Sequence, residues 1–376
     1  MPLTYNVMPF PKFFAVNASG TPYAGGKLWS YASGLVTPQD TYSDAIGTPN
    51  ANPVILDSAG RATVYLAPKA YSFELKDSNG VSIWTADPIY GFSLAQDYGV
   101  CGGRLTLTTG VPVTTSDVTA ATTLYFTPYT GGAVALYDGT AVWGVFPFSE
   151  LSIAIPNVAN QVYDVFASQT AGVVSLSLVA WTNDTTRATA ITLQNGVYVK
   201  SGGTTFRYLG TIRTTAVAGQ TEDSLRRRLV YNWQNRVDRP WLRLEATAAW
   251  TYTLATYQQA NAAVLNQVDL VNGVAEDAID LEVVGTFSSN QAEGTIIANV
   301  AIGEDSVTTA VAGHVFGGVD NRGGALASLT RATLRKVPAV GYHFYAWLEK
   351  STAVGVTTWR GVSVYGQTGI TGSVHQ

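Results

Sequence analysis

The chain is poor in the residues that most often carry chemistry. It holds one cysteine, Cys101, and three histidines, His314, His343 and His375, in 376 residues. A single thiol closes no intrachain disulfide and builds no thiolate metal site, and three scattered imidazoles do not form a zinc box or a triad. No cofactor or metal is therefore expected. Charge is scarce as well: Asp, Glu, Lys and Arg make up 13% of the chain, where soluble domains carry about 25%. The net charge of −4 supplies no basic field, which argues against nucleic acid or a membrane surface as partner. No stretch approaches the ~18 uninterrupted apolar residues of a membrane span. The first fourteen residues are apolar, but Pro2, Pro9 and Pro11 break them and no basic stretch leads them, so a signal peptide is not expected.

What fills the gap is Gly, Thr, Ser, Val and Tyr, with aromatics at 11%. β-Branched and aromatic side chains pack well on a half-buried sheet, and glycine supplies the positive φ of tight turns. A surface of Thr, Ser, Ala and Tyr, low in charge, suits one that partner subunits cover. Alternation with period two dominates. Tyr71, Phe73 and Leu75 fall on one face, and Ser72, Glu74 and Lys76 on the other. Asp77-Ser78-Asn79-Gly80 then reads as a turn and Val81-Ser82-Ile83-Trp84 as the returning strand of a hairpin. The same alternation recurs over 104–108, 174–179, 278–283 and 342–349. Glycine pairs, among them Gly25-Gly26, Gly102-Gly103 and Gly323-Gly324, punctuate it. No solenoid or propeller period is present.

One segment departs from this pattern. Over 221–237, Leu225, Leu229, Trp233 and Val237 recur every fourth position, with Thr221 as N-cap and Pro240 beyond the end. The spacing predicts a helix. The expected fold is all-β, with tandem β-sandwich or jelly-roll-like domains and this one helix between the middle and distal domains. The expected domains are 1–95, 99–240 and 241–376.

The first quarter of the chain carries three ordered strings: Gly25-Gly26-Lys27-Leu28-Trp29, then Thr37-Pro38-Gln39-Asp40-Thr41-Tyr42-Ser43-Asp44, then Asn52-Pro53-Val54-Ile55-Leu56-Asp57-Ser58-Ala59-Gly60-Arg61. In order and spacing they resemble the N-terminal particle-anchoring, or head-binding, domain of bacteriophage tail fibres and tailspikes. Gly25, Gly26, Lys27, Pro38, Tyr42, Asp44, Pro53, Asp57, Gly60 and Arg61 carry the motif. Each also makes sense as turn chemistry, so the motif reads as architecture and not as a binding site. The middle of the chain, with Trp181-Thr182-Asn183-Asp184-Thr185-Thr186-Arg187 and Tyr208-Leu209-Gly210-Thr211-Ile212-Arg213, is similar to segments common in phage particle proteins. The resemblance implies a homotrimer docked on a tail hub, adaptor or portal/collar protein. It also implies location in the virion, after assembly in the bacterial host cytoplasm. A tailspike normally continues into a long β-helix bearing endoglycosidase carboxylates, and the chain lacks the length for one.

Three further groups invite a sharper reading, each with a plainer one beside it. A glycosidase needs two carboxylates about 5–9 Å apart, one with a raised pKa. Glu276-Asp277, Asp280 with Glu282, and Glu304-Asp305 are acidic pairs, but Asp280 and Glu282 fit a solvated strand face better. Arg226, Arg227 and Arg228 lie on the polar faces of the expected helix, where an intersubunit basic surface is favoured over nucleic acid. Tyr345, Trp347 and Trp359 are candidate receptor or subunit contacts, with core as the plainer alternative. No phosphate-cradling loop, nucleophile elbow or metal box is present, so no enzyme activity is expected. The expectation is a short trimeric tail fibre or spike whose tip binds a bacterial surface polysaccharide or protein. The alternatives are a head- or collar-attached fibre or decoration protein, and a carbohydrate-active tailspike.

Overall fold

The computed structural model describes residues 6–7, 12–44, 47–67, 69–90, 98–140, 142–290, 296–320, 327–362 and 366–376. The glycine pair Gly323-Gly324 lies outside them. The chain divides into two compact units, Met1–Asp97 and Tyr98–Gln376. Among the described residues there is no α-helix, and the one helical turn is a 3₁₀ turn at Ala260–Ala262. Among the described residues no helix is long and apolar enough to cross a membrane. The fold is all-β, built of sheets packed in sandwich fashion.

The first unit is built on a four-stranded antiparallel sheet in the order Val54–Ile55, Lys27–Ala32, Ala70–Lys76, Ser82–Tyr90. Tyr71, Phe73 and Leu75 turn inward, as the alternation implies, onto Leu28, Val54, Leu56 and Leu66. The turn after them is a backbone-satisfied loop: the Gly80 N–H donates to the Asp77 carbonyl, and Asp77 Oδ1 accepts from Val81 N–H. Gly80 takes φ +89°, which side-chain-bearing residues rarely adopt.

In the second unit, two large sheets enclose one core. One has Asp238–Leu244, Gly369–His375, Ile279–Ser289 and Ser328–Lys336 as neighbours, and the other carries Gln267–Asn272, Gly341–Ser351 and Ile297–Glu304. Between them lie Trp241, Leu270, Ile279, Val283, Phe287, Val300, Ile302, Tyr345, Trp347, Trp359 and Ile370. A six-stranded sheet around Val162–Thr170 and Gly203–Arg213 packs with the smaller sheet of Gly103–Thr106, Thr123–Pro128 and Leu151–Ala154 over Leu105, Phe126, Val165, Leu209 and Ile212. The boundary expected near 240 falls inside this unit. Val118–Ala121 and Thr221–Asp223 belong to the same sheet as Gly341–Ser351.

The helix expected over 221–237 does not form. Thr221–Asp223 and Arg227–Arg228 are the two arms of a tight hairpin, in which Ser224 and Arg227 exchange backbone hydrogen bonds at 2.7 and 3.2 Å. Arg227–Arg228 then runs parallel to Asp269-Leu270, and Val230–Asn232 pairs with Gly210, Thr211 and Ile212. The four-residue stripe is coincidental, because Leu225 is exposed while Val230, Tyr231 and Asn232 are all buried, so both faces of that short strand are covered. Asn235 at φ +57° would also interrupt any helix there. Tertiary pairing overrides a local helix propensity of only about 0.5 kcal/mol per residue.

Candidate functional site

The motif residues between Gly25 and Arg61 are spent on turns. Gly25, at φ +68°, donates its N–H to the Leu56 carbonyl at 3.1 Å, and Gly26 packs beneath Tyr23 before Lys27 opens its strand. Pro38 bridges to Tyr31, and Tyr42 bridges to both Pro49 and Tyr65. Asp44 Oδ1 accepts the Thr48 N–H at 3.0 Å. The Asn52-Pro53 peptide is cis, and the Asn52 amide exchanges hydrogen bonds with the Ser30 backbone at 3.1 and 2.6 Å. Asp57 Oδ1 accepts the N–H groups of Ala59 and Arg61 at 2.8 and 2.9 Å, with the Arg61 guanidinium 3.5 Å from Oδ2. The backbone bond from Arg61 holds the Asp57 carboxyl below its usual range. These bonds fix loops. Phe14, Val36, Ile55, Val81, Ile83 and Trp84 are among the exposed apolar side chains of this unit.

Tyr345, Trp347 and Trp359 are fully buried at 0% exposure within their own chain, which corrects their reading as receptor or subunit contacts. Alternation along Gly341–Ser351 aims His343, Tyr345, Trp347 and Glu349 at the sandwich core, and Trp359 arrives from the facing sheet. Trp359 Nε1 donates to the Tyr252 carbonyl at 3.1 Å. The aromatic rings nearer the surface are Trp250, Tyr252 and Tyr257, with Lys350 over the Tyr257 ring at 4.3 Å.

The arginine run is likewise engaged inside the chain. Arg226 lies 3.6 Å from Asp269, Arg227 Nε donates to the same carboxylate at 2.7 Å, and Arg227 Nη1 lies 3.4 Å from Glu222. Arg228 pairs with Asp223 at 2.7 Å and donates to the Pro240 carbonyl at 2.6 Å. These carboxylates and one carbonyl take the place of the intersubunit contacts expected on a helix. The Asp269 pairs join the hairpin to the neighbouring strand, while those of Glu222 and Asp223 cross between its own two arms.

Each acidic pair singled out in the sequence has a basic partner. Asp280 and Glu282 point outward, 3.3 Å from Arg335 and Arg331 on the adjacent strand. Glu276 and Asp277 share Arg236 at 2.9 and 2.6 Å. Glu304 accepts from Lys336 at 2.6 Å and from the Tyr345 hydroxyl at 3.1 Å. Asp305, at φ +51°, sits 2.7 Å from His343 Nδ1. Burial works to lower the His343 imidazole, but the bond and charge of Asp305 carry it above its ordinary value. Among the described residues no group of His, Cys, Asp and Glu is arranged to hold a metal ion.

The carboxylate with the most unusual environment was not singled out from the sequence. Glu349 is fully buried, and Oε1 accepts from Trp250 Nε1, Gln258 Nε2 and the Asn261 N–H at 2.9, 2.9 and 3.0 Å. Burial pushes its carboxyl up to about 7 against those bonds, and nearby Glu245 adds to the rise. Burial also works to raise Glu245, but hydrogen bonds from Thr247 and Asn266 outweigh it and hold that carboxyl low. Two carboxyls pushed apart in this way resemble an acid and base pair. Glu349 is closed to solvent at 0% exposure, and its bond from the Asn261 N–H pins the turn in which Asn261 and Ala262 take positive φ. Its partners lie 88 to 99 residues away in the chain, so no local signal marks it.

No family model matches the chain, and no curated protein matches it. Among solved structures, the chain is similar to one chain of "X-ray structure of the entire lipid-containing bacteriophage PM2". The identity is 9%, the match covers 100% of this chain and 99% of the other, and the TM-score is 0.18, too low to mark a shared fold.

Proposed function

We propose that the chain is a structural subunit of a bacteriophage particle, a short trimeric tail fibre or spike. It docks through the unit Met1–Asp97, and the unit Tyr98–Gln376 projects toward the bacterial surface. The observation that carries this reading is the ordered set of turn motifs running from Gly25 to Arg61, which resembles a particle-anchoring domain and whose residues each secure a loop of the first unit. The exposed Phe14, Ile55 and Trp84 supply apolar area for docking or for threefold association. The second unit supports the adhesive half of the reading by what it is made of: an all-β body in which Asp280 and Glu282 are paired with arginines and Glu349 is buried. Three weak tips on one fibre bind tightly through effective concentration, so no deep pocket is required.

Light scattering or sedimentation of the purified chain tests the assembly. The expected mass is three times 39.9 kDa. A stable 39.9 kDa monomer at micromolar concentration contradicts the trimer.

A further inference from the structure

The tripeptide Asn-Gly-Val occurs three times, at Asn79-Gly80-Val81, Asn195-Gly196-Val197 and Asn272-Gly273-Val274. An asparagine before glycine is prone to lose ammonia, because no Cβ hinders the glycine main-chain nitrogen as a nucleophile. That nitrogen bonds to the asparagine Cγ, the Cγ–Nδ2 bond breaks, and a cyclic succinimide is left. The carboxamide must first swing back over its own main chain. By sequence the three sites are alike; their surroundings in the fold differ.

Asn272 is 5% exposed, and its Nδ2 donates to the Pro338 and Ala339 carbonyls, both at 3.1 Å. A Cβ on Gly273 would collide with the Tyr208 hydroxyl, so no ring has room to form there. Asn195 is exposed, but its Oδ1 accepts from Trp143 Nε1 at 3.1 Å and from Gln194 Nε2 at 3.0 Å. Trp143 is buried, so this carboxamide is tied to a fixed donor. Asn79 is exposed in the turn between Ala70–Lys76 and Ser82–Tyr90. Asp77 holds that turn: its carbonyl accepts the Gly80 N–H at 3.1 Å, and its Oδ1 accepts the Val81 N–H at 2.9 Å. Neither bond uses the Asn79 carboxamide, and nothing lies within 4 Å of a Cβ placed on Gly80. Attack requires only that the Gly80 bond open, and exposed turns open at little cost.

We propose that Asn79 is a site of spontaneous deamidation in the folded chain, whereas Asn195 and Asn272 are protected. Gly80 N displaces ammonia from Asn79 Cγ, taking the lost N–H proton with it. Water then opens the succinimide at either carbonyl, to aspartate or isoaspartate. The product carries one more negative charge, and isoaspartate adds a methylene to the main chain of the turn. Ser78 of this turn lies against Gly25, so the change falls beside the first glycine pair of the motif. The inference stands apart from any role in a phage particle.

Peptide mapping by mass spectrometry, after incubation of the full chain in mildly alkaline buffer, tests it. The peptide bearing Asn79 should gain about 1 Da and separate into two forms, at about ten times the rate at Asn195 and Asn272 or more. In urea the three sites should react at similar rates, since only the fold distinguishes them. An unchanged Asn79 peptide, or equal rates at all three sites in the folded chain, overturns the proposal. Asn79→Gln should abolish the gain in that peptide. Trp143→Phe removes one donor from Asn195 and should speed its loss of ammonia while Asn79 keeps its rate. No acceleration at Asn195 would contradict the anchoring that sets the sites apart. If that variant does not fold, the three rates in the unaltered chain still decide.

Discussion

The indole Nε1 of Trp250 donates to both carboxylate oxygens of Glu349, at 2.9 and 3.0 Å, across 99 residues of sequence. Few contacts in the molecule combine so buried an acid with so strongly donating a neighbour, and its protonation is open to measurement. The Glu349 carboxyl is raised to about 7 from an ordinary 4.5. The folded state therefore keeps a proton that the unfolded state releases between those values. Stability from this group is full below pH 4.5 and falls as pH rises to about 7, by order ~3 kcal/mol. Glu349→Gln keeps the shape and an acceptor oxygen without titrating. Urea unfolding of both proteins from pH 4.5 to 8 should show the unaltered chain losing stability relative to the variant as pH rises. A parallel pair of curves refutes the buried, protonated state.

Buried and exposed ion pairs should separate cleanly. Arg187 holds Asp164 through Nε and Nη2 at 2.6 and 3.1 Å and stacks 4.4 Å from the Trp181 ring, whereas Arg335 meets Asp280 in solvent. Arg187→Met leaves the buried Asp164 carboxylate without its cation, though still bonded to the Thr211 hydroxyl, and should cost about 3–5 kcal/mol. Arg335→Ala should cost less than about 1 kcal/mol. Similar losses from the two substitutions, in chemical denaturation, contradict the burial assigned to Asp164.

Trp347→Ala removes a side chain that is fully enclosed by the sandwich core. The expected loss is about 3–5 kcal/mol, with a lowered unfolding midpoint and no selective effect on any surface interaction. A stable variant that lost only binding would return Trp347 to the surface.

In the first unit, Gly60 stands at φ +68°, and an added Cβ would lie 2.5 Å from the Ala15 carbonyl oxygen. Gly60→Ala should destabilise that unit by about 1–3 kcal/mol, since both backbone conformation and space oppose it. Gly20→Ala is the control, because Gly20 has φ +81° with nothing within 4 Å, and it should bear the conformational cost alone. Equal effects on the unfolding of the isolated transition would show that the loop around Ala15 yields freely.

Strands were legible wherever one face meets the core and the other meets solvent. The hairpin through Tyr71, Phe73 and Leu75 and the strand bearing Asp280 and Glu282 are of this kind. The hairpin at 221–228 was hidden, because its arginines look like a solvated helix face until Asp269, Glu222 and Asp223 are brought beside them. Trp347 and Trp359 carry no local mark that tells core from contact surface; the facing sheet decides it. The Glu349 cluster was invisible for the same reason, since its partners lie 88 to 99 residues away in the chain. The motif from Gly25 to Arg61 was readable because turn geometry is local: the positive φ of Gly60 and the acceptor bonds of Asp57 are set within a few residues.

Immunogold labelling of purified phage particles with an antibody against the second unit tests the central proposal most directly. The account predicts label on the particle, projecting from the tail for a fibre or spike, and lost when the first unit is deleted. Label at the head or collar would keep the docking role and move its location. Particles that carry no label, with the protein confined to the particle-free fraction, would contradict the account.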